Sequence, residues 1–153
     1  MDWFAQRFLK SALVSLGLGV LMGMWMALTP SAIIYRPAHV HLNLLGFVSM
    51  VIFGVAYHVI PRFTGHPLHN PRVAGVHWYV ANVGLVILIV GFGLVPHAAT
   101  VARYALGIGA TISGIGAFLF IYNLWRTIDG PRRLVPRAAV TSALPRVLPI
   151  AER

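Results

Sequence analysis

Four apolar runs of membrane-crossing length, each stopped by a proline, leave this chain little freedom in how it folds. A transmembrane helix needs about 20 mainly apolar residues. The runs cover residues 8–28, 38–60, 76–95 and 101–125. Pro30, Pro61, Pro96 and Pro131 fall at or beyond their ends, as expected of a residue that has no N–H and cannot continue a helix. Charged residues make up only 10% of the chain, against about 25% in soluble domains. The predicted fold is therefore all-α: an integral membrane four-helix bundle forming one domain over residues 1–130. A basic, proline-containing tail follows over 131–153. The first run lacks a small-residue cleavage site and reads as a retained helix rather than a signal peptide.

The net charge of +9 does not point to nucleic acid, because the cations sit at helix ends and in the tail. Anionic lipid and membrane topology account for them. With the N-terminus inside, ten of the 12 Lys and Arg residues fall on the inner side. Only Arg36 and Arg103 fall outside, which predicts N-in, C-in. The second helix then enters from the outer face. Gly17, Gly19 and Gly23 in the first run, and Gly107, Gly109, Gly114 and Gly116 in the fourth, let helices pack closely in lipid, within the bundle or between subunits.

No cysteine is present and histidine occurs seven times, so any metal site has to be imidazole-based. The stretch PAHVHLNLLGFVSMVIFGVAYHVIPRFTG carries His39 and His41 at its start. Helical positions two apart point about 200° from each other. These imidazoles cannot comfortably grip one ion, since zinc pairs on a helix sit at i and i+4. The spacing suits a helix placed between two sites. The alternative is that both sit at the water interface and only hydrogen-bond. Ionisable groups inside an apolar run are usually functional, however, and neutral imidazole is the usual protein ligand of heme iron.

This stretch resembles the tenth transmembrane helix of heme–copper oxidase subunit I. His39, His41, Gly54, His58, Pro61, Phe63 and Gly65 fall in register with that family's pattern. Leu45, Gly46 and Val48 resemble its cbb3-type branch. The run AGVHWYVANVGLVILIVGFGL resembles the eleventh helix, and 102–127, closing on Asn123-Leu124-Trp125-Arg126, the twelfth. The first helix would match the ninth, without a specific motif.

The resemblance implies a prokaryotic inner-membrane protein that binds heme b. His39 would be the high-spin and His41 the low-spin axial ligand, serving electron transfer or binding of NO, CO or O2. Arg36 and Arg103 would pair with heme propionates or act as ordinary interfacial cations. Asn43, one turn past His39, would hydrogen-bond a ligand on iron or make a helix contact. The family's copper ligands, its other low-spin histidine and its cross-linked tyrosine have no counterpart here, so a complete oxygen reductase is not expected. The family is built from three four-helix arcs. A lone arc would therefore hold heme between protomers of a homo-oligomer, a trimer first and a dimer next, and meet a redox partner. The rival is a cofactor-free structural subunit of a respiratory complex. A channel has little support, because no Asp or Glu lies in a span.

Of the other histidines, His97 is a candidate second ligand or a solvated loop residue. His58 and His77 are expected near the inner face, bonded to each other, to headgroups or to backbone. His66 and His69 are read as solvated.

Overall fold

A computed structural model describes residues 2–130. The tail expected over 131–153 lies outside the described residues. Four helices, each long and apolar enough to cross a membrane, form an all-α bundle: α1 (Trp3–Leu28), α2 (Pro30–Thr64), α3 (Pro71–Leu94) and α4 (Ala99–Asp129). No strand occurs among the described residues.

α1 packs against α2, and α3 against α4. The α3–α4 seam is the tighter. A Cβ added at Gly84 would lie 2.7 Å from the Ser113 backbone nitrogen, and one at Gly109 2.8 Å from that of Leu88. Only glycine permits that approach, and lipid supplies no hydrophobic drive to replace the lost contact. Gly17, Gly93, Gly107 and Gly114 have open space where a Cβ would stand, so these glycines play no part in packing the four helices together.

The core lies toward the end of the bundle that carries Arg7 and Arg62. Phe4, Phe8, Met50 and Tyr57 are buried there. Arg7 fastens this end. Its guanidinium lies 4.9 Å from the Trp3 ring centre and 5.1 Å from that of Trp78, and donates to Tyr79 Oη at 3.2 Å. Cation–π contacts of this kind gain strength where water is scarce.

The α2–α3 connection is pinned to α4 by one side chain. Asn123 Oδ1 accepts from the Asn70 backbone N–H at 2.9 Å, and its Nδ2 donates to the Asn70 carbonyl at 3.0 Å. Asn70 in turn caps α3, its Oδ1 accepting from the N–H groups of Arg72 and Val73.

α2 departs from the expected 38–60 at both ends. It begins eight residues earlier, as a tight 3-10 turn over Pro30–Tyr35. His39 thus lies inside a helix rather than at its opening. At the other end Pro61 does not stop the helix, which continues to Thr64. Proline removes the hydrogen bond to the carbonyl four residues back and crowds that carbonyl, and here it does so once, in the last turn of the helix. The stop is Gly65, in the left-handed conformation at φ 68°.

Candidate functional site

The site is built on the N-terminal half of α2, where the helix changes its winding. Arg36–His41 is α-helical, and the following eight residues, Leu42–Ser49, are π-helical. π segments are rare and cluster at functional sites. Two side chains stabilise this one. Asn43 Nδ2 donates to the His39 carbonyl at 2.8 Å, and Ser49 Oγ donates to the Leu44 carbonyl at 2.9 Å. The Ser49 bond spans five residues, matching the wider turn.

His39 and His41 face different helices. His39 lies over α1, where a Cβ at Gly23 would meet its Cε1 at 3.1 Å. His41 lies over α3, its ring 4.6 Å from that of Phe92 at an angle of 38°. Both are half-buried. His41 Nδ1 is 2.8 Å from the Pro37 carbonyl. A carbonyl can only accept, so Nδ1 carries the proton and Nε2 keeps its lone pair. Metal-binding histidines are usually oriented in this way.

Asn43 makes a helix contact. Its Nδ2 donates one hydrogen bond to the His39 carbonyl, and the side chain wedges against α1, where a Cβ at Gly19 would come within 2.7 Å of it. Its Nδ2 also stands 3.5 Å from both ring nitrogens of His39, at the limit of hydrogen bonding.

Arg36 and Arg103 are exposed. The Arg103 guanidinium lies 5.5 Å from the ring centre of its neighbour Tyr104. Among the described residues no hydrogen bond or ion pair links either arginine to the histidine pair. His97 is at the same end, where Tyr35 Oη meets its Nε2 at 3.1 Å and Tyr35 stacks on Trp25 at 5.5 Å. It is exposed and bonded to Tyr35.

His58 and His77 part company. His58 is bonded by Arg62, whose guanidinium donates to its Nδ1 at 2.9 Å and to its backbone carbonyl. His77 is wholly buried, 3.1 Å from Tyr57 Oη through Nδ1, with Phe8, Phe53 and Phe120 around it. The expectation that His77 bonds to His58 or to headgroups fails, because its neighbours arrive from α1, α2 and α4. His69 is exposed; its backbone N–H donates to Thr127 Oγ1 at 3.0 Å, and its ring meets Tyr122 edge-on.

Among the described residues no group of three or more His, Cys, Asp or Glu side chains converges as a metal site. Three hollows stand out: a groove of about 470 Å³ between α1 and α3, one of about 530 Å³ beside the α2–α3 connection, and a cavity of about 50 Å³ in the core. None of the three is lined by His39 or His41. The two half-buried rings lie one toward each flank of α2, His39 over Gly23 of α1 and His41 over Phe92 of α3.

No family model matches the chain. It is 27% identical over 159 aligned positions to the cbb3-type cytochrome c oxidase subunit CcoN1 of Stutzerimonas stutzeri, covering 82% of this chain and 33% of that protein. It is 28% identical over 115 residues to cytochrome c oxidase subunit 1 of Rhodobacter capsulatus, covering 59% of this chain and 22% of that one. With a nitric oxide reductase subunit of Stutzerimonas stutzeri it shares 31% over 123 residues, 69% of this chain and 25% of the relative. The chain thus spans a third or less of the length of these relatives. It is a multi-pass membrane protein, related to the heme–copper oxidase subunit I family through similarity to part of those longer subunits.

Proposed function

We propose that this protein holds heme b at the outer end of α2 and serves respiratory electron transfer or binds a diatomic gas. The observation that carries the reading is the setting of His41. Its Nδ1 is anchored on the Pro37 carbonyl, so its Nε2 is held out as a lone pair on the α3 flank. Such an anchor fixes the tautomer and raises ligand basicity. His39, on the α1 flank, is the second candidate ligand.

Bound heme would supply a one-electron couple, and a gas site where one axial position stays open. The chain's own residues contribute orientation and charge. Pro37 aims the His41 ring, and Phe92 supports its face. The exposed Arg36 and Arg103 side chains are free to pair with propionates. Because none of the three hollows is lined by either histidine, the group would lie between protomers, in a trimer or, next, a dimer. N-in, C-in insertion puts this end on the outer side of a prokaryotic inner membrane.

One observation favours the cofactor-free alternative, a structural subunit of a respiratory complex. His39 is packed on Gly23 and beside Asn43, so its ring already has a role in joining α1 to α2. Visible spectra of the purified protein, reduced with and without CO, separate the readings. Electron transfer through two histidines gives a Soret band insensitive to CO, and an open site gives one that shifts. No Soret band after expression with ample heme rejects heme binding and leaves the structural subunit. Mass measurement of the heme-loaded particle tests the shared site, which a fully loaded monomer would eliminate.

A further inference from the structure

The core cavity of about 50 Å³ lies where α2, α3 and α4 meet. Two buried polar atoms on its wall have no hydrogen-bond partner among the described residues, His77 Nε2 on α3 and Ser113 Oγ on α4. They stand on different helices, so a repair of one would not repair the other. His77 is 0% exposed. Its other ring nitrogen is engaged by Tyr57, so the ring cannot turn to seek a partner without breaking that bond. Ser113 is confined by Gly84, whose added Cβ would come within 2.5 Å of its Oγ. Ser49, with its proton committed to the Leu44 carbonyl, presents a third oxygen on the same wall.

We infer that this cavity is a binding site for an internal water molecule bridging His77 and Ser113. Three requirements are met. A water needs a cavity of at least about 10–15 Å³ and two to four polar partners, and this wall supplies three. The occupant has to serve His77 in either tautomer. If Tyr57 donates to Nδ1, then Nε2–H needs an acceptor. If Nδ1–H donates to Tyr57, then Nε2 needs a donor. Water does both, whereas a diatomic gas has no proton to donate and an acyl chain does neither. The remaining lining is apolar, including Leu45, Met50 and Ala117, which fixes the water on its polar contacts. The result is a hydrogen-bonded chain, Tyr57–His77–water–Ser113, stitching three helices together in the bundle core. It is independent of whether heme is bound.

A crystal structure of the full chain grown from lipidic mesophase, at a resolution that places ordered waters, tests this. The expected result is a density peak within hydrogen-bonding distance of His77 Nε2 and Ser113 Oγ, absent in the cavity-filling variant Ala117→Val. Ala81→Val fills the same cavity from α3 if the first variant fails to fold. A featureless cavity in the unmodified protein overturns the proposal. So does a His77 Nε2 found bonded to a protein atom, or a peak that persists in a filled variant.

Discussion

The α3–α4 seam permits a sharp mechanical test. Gly84→Ala would put a Cβ 2.5 Å from Ser113 Oγ and 2.7 Å from the Ser113 backbone nitrogen. The hydroxyl can rotate away, but the backbone cannot. Ordinary contact begins at 3.4 Å, so α4 must retreat by about 0.7 Å at this point, a gap that forfeits a quarter to a half of the dispersion well in each contact it opens. The retreat cannot stay local, because Gly109 is pressed against the Leu88 backbone along the same seam. Overpacking of this kind costs about 1–3 kcal/mol. Alanine also gains helix propensity over glycine, about 1 kcal/mol, which would mask part of the cost.

Gly107→Ala supplies the control, since nothing lies within 4 Å of its added Cβ. The propensity gain is common to both variants, and their difference isolates the steric cost. For a chain of this size about 1 kcal/mol moves the melting temperature by roughly 2–4 °C. Thermal melts in one detergent should therefore place Gly84→Ala about 2–12 °C below Gly107→Ala. Equal melting of the two, or a higher value for Gly84→Ala, would refute the close backbone approach.

Other outcomes follow from single contacts. His41→Ala should abolish any heme absorption while leaving the melt close to that of the parent; an unchanged spectrum would remove His41 as a ligand. Tyr57→Phe leaves His77 Nδ1 unpaired in the core and should cost about 1–3 kcal/mol, while the double variant Tyr57→Phe, His77→Leu should cost less than the sum of the two singles; additive melts would deny the bond. Asn70→Ala removes the α3 cap and should cost about 1 kcal/mol. Asn123→Ala leaves both polar groups of the Asn70 backbone without their partner and should cost more, about 1–3 kcal/mol, with chemical denaturation deciding the order.

The four spans were legible because hydropathy alone identifies a helix in lipid, where every backbone group has to bond within its own segment. The ends were less so. Pro61 reads as a stop, yet the stop is Gly65, because the loss of one N–H bond is tolerated within the last turn of a helix that a left-handed residue then ends. That His39 and His41 face apart was legible from the 200° between them. The π winding after His41 was not, since no residue type demands it; it rests on Asn43 and Ser49 finding carbonyls at particular distances. Asn123 is visible in the sequence as part of a closing motif, but its role depends on Asn70, 53 positions earlier. The setting of His77 was hidden for the same reason: its surroundings are made of four helices.

The position of the π segment bears on how α2 can serve two flanks at once. Its N-terminal side is fixed to α1 by Gly19 and Gly23 against Asn43 and His39. The segment itself is fixed by Gly46, whose added Cβ would lie 2.7 Å from Ser15. His41, between these anchors, leans on Phe92 of α3. A change of winding directly after His41 therefore lets α2 keep close contact with α1 over several turns while turning His41 away toward α3. If heme binds here, each flank carries one imidazole, and a six-coordinate iron needs two. His97, at the same end, is held by Tyr35. On the proposed reading the second ligand on the His41 flank comes from another copy of the chain, or the position stays open to a gas. The spectrum with CO decides between those two, and the mass of the loaded particle decides whether a second copy is there to supply it.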